Sequence, residues 1–300
     1  MVGSAQRPGR LIVESADEAE VLDVPSGQVA RIMCFGSVGV SAGVRTWAMT
    51  NDVDVVFASR RGSYLGQLVS GSPTRVDRLR TQLAVATTPQ ARTISAAIVE
   101  AKVRKQIVVL QRFGRRENVE TVQDAVHQMR QVLLLLPDCE SPAEVMGVEG
   151  AAAQAYFRSL GQLFPESLAF AGRSRQPPMD VANSALSFLY TILLGECVSA
   201  LHAAGLDPAI GVLHADHERR PSLALDLMEE FRPYVVDQVV LTAARSRALT
   251  DDHGRQEEGR PGVLLTKAGR TAVLDGYERR MLRTTRGALP DFGGTVRRHL

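Results

Sequence analysis

One stretch, Gly211 to Pro233, gathers residues that could do chemistry: GVLHADHERRPSLALDLMEEFRP. His214 sits in a polar turn. After Pro221 and Ser222 the spacing predicts a helix whose inner part carries Asp226, Glu229 and Glu230. Residues three and four apart share a helix face, so Asp226 can lie beside Glu229 or Glu230. Leu223, Leu225, Leu227 and Met228 supply the apolar remainder. Carboxylates on such a helix are expensive to bury without a positive partner. A divalent metal is one candidate partner and arginine is the other. Taken alone, the stretch reads as an arginine-paired structural helix.

A second carboxylate changes that balance. Ser141-Pro142-Ala143-Glu144 has the pattern of a capping box and opens a helix. Inside it, Glu149 lies between Gly147 and Gly150 in a run of small apolar residues ending at Tyr156-Phe157. Glycine and alanine permit close approach of a ligand or another backbone. Glu149 is then either the solvent edge of a packing stripe or a third ligand beside His214 and Glu229.

These residues need elements to position them. Residues 1–70 read as short strands rich in Val and Ile: Leu11–Glu14, Glu20–Val24, Val29–Phe35 and Val53–Ala58. Val44–Asn51 reads as a helix that anchors Trp47 in a small core. Arg60-Arg61-Gly62 reads as a hairpin turn. From Arg75 the period becomes helical. Residues 90–113 form a long amphipathic segment in which Lys102 and Arg112 occupy a solvated face, open to nucleic-acid backbone. Further helices are expected over Val119–Leu136, Met179–Gly205, Tyr234–Arg245 and Thr271–Thr284, with Ser246 to Gly262 a mobile loop holding a solvated His253. The fold class is therefore α+β: a small, sandwich-like N-terminal β-domain over 1–72, a linker over 73–80, and a larger all-helical domain over 81–300.

Composition bounds the function classes. The 300 residues carry a net charge of only +2, yet three of the 35 basic residues are lysine and the rest arginine. Arginine suits bidentate contact with phosphate, though a GC-rich genome gives the same bias. Cys34, Cys139 and Cys197 are widely spaced, which excludes a disulfide scaffold or zinc knuckle and fits a reducing cytoplasm. The most apolar region, Val181 to Leu206, is interrupted by Asn183, Glu196 and His202, so it reads as a core helix and no membrane is expected. No H-E-x-x-H is present to support a zinc hydrolase.

An ordered set of motifs carries a resemblance. Cys34-Phe35-Gly36-Ser37-Val38-Gly39-Val40-Ser41 comes first, and then Glu149 in its small-residue helix. Arg173 with Pro177-Pro178, and Asn183, Leu186-Ser187 and Tyr190, follow. Last come Gly205-Leu206-Asp207-Pro208, Gly211, His214, Ser222-Leu223, Leu225-Asp226-Leu227 and Glu230-Phe231-Arg232-Pro233. Together they resemble the CRISPR-associated endonuclease/integrase family, CRISPR-associated protein 1, over most of the chain. The resemblance implies a β-domain that dimerises and a helical domain that holds the metal. It implies Mg2+ or Mn2+ on Glu149, His214 and Glu229, with Asp226 binding or supporting that metal. It also implies integration of captured DNA (prespacers) into a CRISPR repeat, by attack of a 3′-hydroxyl on a phosphodiester. The implied partners are DNA, a second copy of the chain, a small ferredoxin-like companion subunit (CRISPR-associated protein 2) and a prespacer-processing nuclease. Arg78, Lys102, Arg112, Arg173, Asn183 and Tyr190 are the expected nucleic-acid contacts.

The chain departs from the family pattern in a ten-residue polar leader, and in ending at Arg297-Arg298-His299-Leu300 where members commonly continue in a helix. Two other readings use the same residues. One is a stand-alone metal-dependent nuclease of repair or transposition. The other is a non-enzymatic DNA-binding scaffold whose Glu149, Asp226 and Glu229 pair with Arg173, Arg219 or Arg220.

Overall fold

The computed structural model describes residues 2–7, 9–15, 20–59, 64–68, 76–115, 120–168, 170–214, 220–259, 261–286 and 293–296. The N-terminal part contains two small sheets. Strands β1 (Val2–Arg7), β2 (Arg10–Glu14), β3 (Glu20–Pro25), β4 (Arg31–Phe35) and β5 (Val38–Val40) precede helix α1 (Ala42–Thr50), and β6 (Asp54–Ala58) and β7 (Tyr64–Leu68) follow it. One sheet has the order β3-β2-β1-β5 and the other β4-β6-β7. The expected polar leader is thus largely a strand, paired antiparallel with β2 and parallel with β5. Its polar composition hid it, because edge and two-sided strands lack the apolar alternation used to find strands. The expected turn at Arg60-Arg61-Gly62 lies outside the described residues.

Consecutive Val55 and Val56 and then Ala58 of β6 are buried, so this apolar strand is covered on both faces. Cys34, Ala48, Val53 and Val55 form a satellite core, with Trp47 half-buried against it. The β4-β6-β7 sheet does not stand apart from the rest. A Cβ on Gly195 would come within 3.3 Å of Val56, and Phe35 meets Phe188 with ring centroids 4.9 Å apart. Arg31 Nη1 lies 2.9 Å from buried Glu196 Oε1. An ion pair and close packing therefore join sheet to helices.

The helical part comprises α2 (Val76–Ala86), α3 (Pro89–Gly114), α4 (Glu120–Leu133), α5 (Pro142–Gly161), α6 (Val181–Ala203), α7 (Ser222–Phe231), α8 (Gln238–Arg245) and α9 (Lys267–Met281). Residues 76–80, expected as linker, are the first turns of α2. Its Gln82 side chain donates to the carbonyls of Asp207 (2.7 Å) and Ile210 (3.0 Å), docking α2 on the loop that leads to His214. Two short ribbons add to the helices: β8 (Gly254–Gln256) with β9 (Val263–Leu265), and β10 (Thr284–Arg286) with β11 (Gly293–Thr295). The expected mobile loop thus contains a strand. His253 is not simply solvated there: its Nδ1 accepts from the Thr250 amide at 3.0 Å and closes a capping box.

Helix α6 is the axis of the core. Seventeen of its 23 residues are buried, so it is enclosed on all sides, as a central helix must be. It is long and apolar enough to cross a membrane, but 72% of its most apolar window is buried inside the fold. Asp180 caps it by accepting from the Asn183 amide at 2.7 Å. Ser141 caps α5 by accepting from the Glu144 amide at 3.3 Å, while the Glu144 carboxylate reaches back to the Glu140 amide at 2.8 Å. Between α7 and α8, residues Arg232–Asp237 form a π-helical turn. Pro233 has no amide to continue the α ladder, and such turns recur at functional sites. The three cysteines are free and buried.

Candidate functional site

Four elements meet around Glu229 and Lys102: α3, α5, α7 and the turn 211–214. The turn is built around Asp226. Its Oδ2 accepts from the amides of Val212 (2.7 Å) and Leu213 (3.0 Å), and its Oδ1 from the His214 amide (2.9 Å). Ser95 on α3 donates to the Val212 carbonyl at 2.9 Å and pins the turn from the other side. Gly211 is required by space: a Cβ there would lie 2.7 Å from Ser222 Cβ and 2.8 Å from the His214 carbonyl. Helix α7 has no side-chain cap; the Pro208 carbonyl accepts from the Leu223 and Ala224 amides instead. The Gly-Leu-Asp-Pro motif therefore fixes where α7 begins.

Asp226 also lies 2.7 Å from His214 Nδ1. A carboxylate there selects the tautomer with hydrogen on Nδ1 and leaves Nε2 as a lone pair. Nε2 is 3.9 Å from Glu229 Oε1. Asp226 is fully buried, and both its oxygens are engaged by the turn and the imidazole. Of the two roles expected for it, binding or supporting a metal, this geometry provides the second.

Glu149 on α5 and Glu229 on α7 face each other across Lys102 of α3. Lys102 Nζ contacts Glu149 Oε1 and lies 2.5 Å from Glu229 Oε2. Arg232 Nη1 lies 3.3 Å from Glu229 Oε1. Burial opposes ionisation of Glu229, but Arg232 and then Lys102 outweigh it and hold its pKa at about 2. Glu230 points the other way, toward Lys105 at 2.5 Å, so Glu229 is the inward carboxylate of the pair. The glycines beside Glu149 admit no neighbouring backbone, because a Cβ on Gly147 or Gly150 would meet nothing within 4 Å. Both glycines lie on the exposed surface of α5.

Among the described residues, no three His, Cys, Asp or Glu side chains are gathered tightly enough to hold a metal as they stand. The chemistry of the donor set still fits one. Two carboxylates converge on a single cation position with an imidazole nitrogen nearby, a hard, mostly oxygen set suited to Mg2+ or Mn2+. Glu229 Oε2 is buried with no aligned hydrogen bond, although the Lys102 ammonium lies against it. An ammonium now takes the place a metal ion would.

The other expected contacts are distributed differently. Lys102 is buried in the site and not on a solvated face. Asn183 is completely buried. Its Oδ1 accepts from Arg173 (2.9 Å) and the Ser174 amide (2.9 Å), and its Nδ2 donates to the Gly172 carbonyl (2.8 Å) and Asp180 (2.6 Å). It has no atom left for phosphate; its work is to shape the Arg173 loop. Tyr190 is also withdrawn, its hydroxyl donating to buried Asp237. Tyr156 donates to the other Asp237 oxygen at 2.8 Å. Burial raises the Asp237 pKa more than the two tyrosine hydrogen bonds lower it, leaving it at about 6. Arg173 and Arg232 stack on the Tyr190 ring at 5.5 and 5.0 Å from its centroid. Arg112 is exposed and donates to Gln238 Oε1 at 3.0 Å, while Arg78 donates to the Ala204 carbonyl.

Sequence reading missed Lys102 as a site residue, along with Arg232 and Asp237. Arg232 lay in a quoted motif without a role. The one signal for Lys102 was its type: a lysine in a chain whose cations are almost all arginine.

A family model described as CRISPR associated protein Cas1 matches residues 5–279. The chain belongs to that family. Among Cas1 relatives, CRISPR-associated endonuclease Cas1 2 of Rhodospirillum rubrum is 35% identical over 92% of this chain and 82% of its own length. CRISPR-associated endonuclease Cas1 1 of Thermus thermophilus is 36% identical, with the same coverage of 92% and 82%. A fusion of the exonuclease Cas4 with the endonuclease Cas1 in Myxococcus xanthus is 32% identical over 92% of this chain and 51% of the fusion. Solved structures share the fold. A casposase bound to integration product superposes with TM-score 0.85 at 22% identity, covering 99% of this chain and 84% of that one. A Cas1 protein from Thermotoga maritima gives 0.79 at 23%, covering 93% and 86%. A Cas6-RT-Cas1–Cas2 complex gives 0.82 at 23%, covering 99% of this chain and 32% of that one. The small β-part and larger helical part expected from the sequence are thus those of Cas1 proteins.

Proposed function

We propose that this Cas1-family chain is a metal-dependent DNA endonuclease and integrase of CRISPR adaptation, which joins the 3′-hydroxyl of a captured DNA fragment to the CRISPR repeat. One observation carries the reading: Glu149 and Glu229, from two separate helices, converge on the Lys102 ammonium, and His214, oriented by Asp226, lies 3.9 Å from Glu229. The alternative with purely structural carboxylates expected Arg173, Arg219 or Arg220 as their partners. Arg219 lies outside the described residues, and Arg173 is engaged with Asn183 and Ser187. The cations beside Glu149 and Glu229 are Lys102 and Arg232 rather than Arg220, so an arginine does pair with Glu229, but not one of those expected.

A divalent ion held by Glu149, Glu229 and His214 would polarise a backbone phosphate and favour ionisation of a hydroxyl beside it. The chain's own residues prepare that position. Asp226 keeps the Nε2 lone pair of His214 turned toward Glu229. Arg232 and Lys102 keep Glu229 ionised. The Glu149 side chain is 18% exposed, so one edge of the site is open to a strand. In strand transfer the 3′-oxygen forms a new P–O bond as the phosphorus releases the 3′-oxygen of the repeat strand. One phosphodiester replaces another, so no nucleotide energy source is needed. With water as nucleophile, the same site would nick.

The companions follow from relatives. Cas1–Cas2 assemblies among the structural neighbours support a Cas2-type partner, and the fusions with Cas4 support a processing nuclease. A second copy of the chain completes the proposed assembly. The test uses a supercoiled plasmid bearing a CRISPR repeat, a short labelled duplex, the companion subunit and Mn2+ or Mg2+. Label joined by wild type and lost in both His214→Ala and Glu149→Ala supports integration at this site. Nicking without joining assigns a nuclease only. Equal joining by all three proteins overturns the site.

A further inference from the structure

Among the groups in direct contact with the cation position, charge already balances without a metal. Glu149 and Glu229 contribute two negative charges, and Lys102 and Arg232 two positive ones, while the Asp226 carboxylate lies behind His214 with both oxygens held by the turn and the imidazole. The side chains of Lys102 and Glu229 are only 6% and 3% exposed, so water does little to screen them. Adding a divalent ion leaves a surplus of two positive charges in a poorly solvated pocket, which is strongly unfavourable at low effective dielectric. The surplus vanishes if the Lys102 ammonium leaves the carboxylates, or if phosphate groups arrive beside the metal. DNA can do both at once, since phosphate oxygens are an alternative acceptor for the three N–H donors of an ammonium.

Resting on the metal reading above, we propose that Lys102 is an internal counter-ion that occupies the metal position in the DNA-free protein and yields it when backbone phosphate binds. Metal and DNA affinities are then coupled, and the coupling is reciprocal: each raises the other by the same factor. Lys102 is a positioning residue in this scheme. It acts through Glu149 and Glu229 and keeps them facing each other while no metal is present. The long stem suits this task. It reaches from α3 to carboxylates on α5 and α7, and its flexible four-carbon stem gives the head more than one reach.

The experiment is Mn2+ binding by calorimetry, with and without a short DNA duplex, for wild type, Lys102→Met, Lys102→Arg and His214→Ala. Wild type is expected to bind Mn2+ at least about tenfold more tightly with DNA present. Lys102→Met, which keeps the stem and removes the charge, is expected to bind Mn2+ alone at least about tenfold more tightly than wild type and to respond little to DNA. Lys102→Arg keeps the charge but holds the carboxylates with a fixed fork, so it should bind Mn2+ alone no more tightly than wild type and gain less from DNA. A lysine that is only a fixed charge would also let Lys102→Met bind Mn2+ more tightly, but would leave the response to DNA as large as in wild type; loss of that response is what marks the exchange. Should Lys102→Met fold poorly, the wild-type comparison alone decides: Mn2+ affinity indifferent to DNA overturns the proposal. Equal or weaker Mn2+ binding by Lys102→Met overturns it too, and if His214→Ala still abolishes binding, the metal site itself stands. No Mn2+ binding by any protein, with or without DNA, overturns both.

Discussion

Replacing Asp226 by asparagine tests the site at its support. The two side chains have the same shape, so no cavity opens. What changes is polarity. One aspartate oxygen receives the Val212 and Leu213 amides, and the other the His214 amide and Nδ1. The asparagine NH2 must replace one of them, and either choice sets a donor against two donors. Two hydrogen bonds to a buried anion are lost, each worth about 1.5–3 kcal/mol, so the expected destabilisation is about 4 kcal/mol. For a chain this size that corresponds to a fall in melting temperature on the order of 8 °C. Function should fall further than stability. The carboxylate that selects the His214 tautomer is gone, and loss of such a partner costs roughly 10–100-fold in metal affinity. Thermal unfolding, Mn2+ binding and strand transfer would be measured on the same preparation at a temperature where the variant is folded. A loss below about 1 kcal/mol together with unchanged Mn2+ affinity would refute the account of Asp226 as the hub of the turn.

Other expectations follow from the same contacts. Arg31→Ala leaves buried Glu196 with the Tyr277 hydroxyl but without the Arg31 cation, and should cost about 3 kcal/mol in chemical denaturation, with Arg31→Ala/Glu196→Gln recovering part of it. Gly211→Ala forces Ser222 or the His214 carbonyl to move and should lower strand transfer more than it lowers stability; equal activity would contradict the tight turn. Asp237 is protonated more readily in the folded chain, with its pKa raised from 3.8 to about 6. Its favourable contribution is complete below the unfolded value and lost as pH rises through the folded one, so stability relative to Asp237→Asn should fall by about 3 kcal/mol between about pH 4 and pH 7. A stability difference that does not vary over that range would contradict the assignment.

How much of this was legible depends on what each residue's neighbours are. The helices were readable because their periodicity and caps are local: Ser141 and Asp180 open α5 and α6 through contacts three residues away. Strand β1 was not, because its pairing with β2 and β5 supplies what its polar sequence does not. The spacing of Asp226 and Glu229 marked one helix face, and the spatial division of labour between them was beyond spacing. That division depends on the turn folding back so that its amides enclose Asp226 and leave Glu229 facing α3. The phosphate contacts expected at Asn183 and Tyr190 failed for a related reason. The helix was expected to be a core helix with these polar groups turned to the site, but α6 is enclosed on all sides, and they find partners in the Arg173 loop and Asp237.

Lys102 gives the sharpest case. On its own helix it looks like one more charge on a solvated stripe with Arg104 and Lys105. Arg104 pairs with Glu100 one turn away, and Lys105 with partly exposed Glu230, so for those two the bland reading was right. Only the approach of α5 and α7 converts Lys102 into the counter-ion of two carboxylates, and both lie far away in sequence. The identity of the residue then acquires a reason. An arginine would grip Glu149 and Glu229 with a fork of fixed donors that is hard to release. An ammonium is a compact charge on a flexible stem, able to hold the two carboxylates together and still be displaced. In a chain that otherwise uses arginine almost throughout, a lysine at this position matches a contact built to be exchanged.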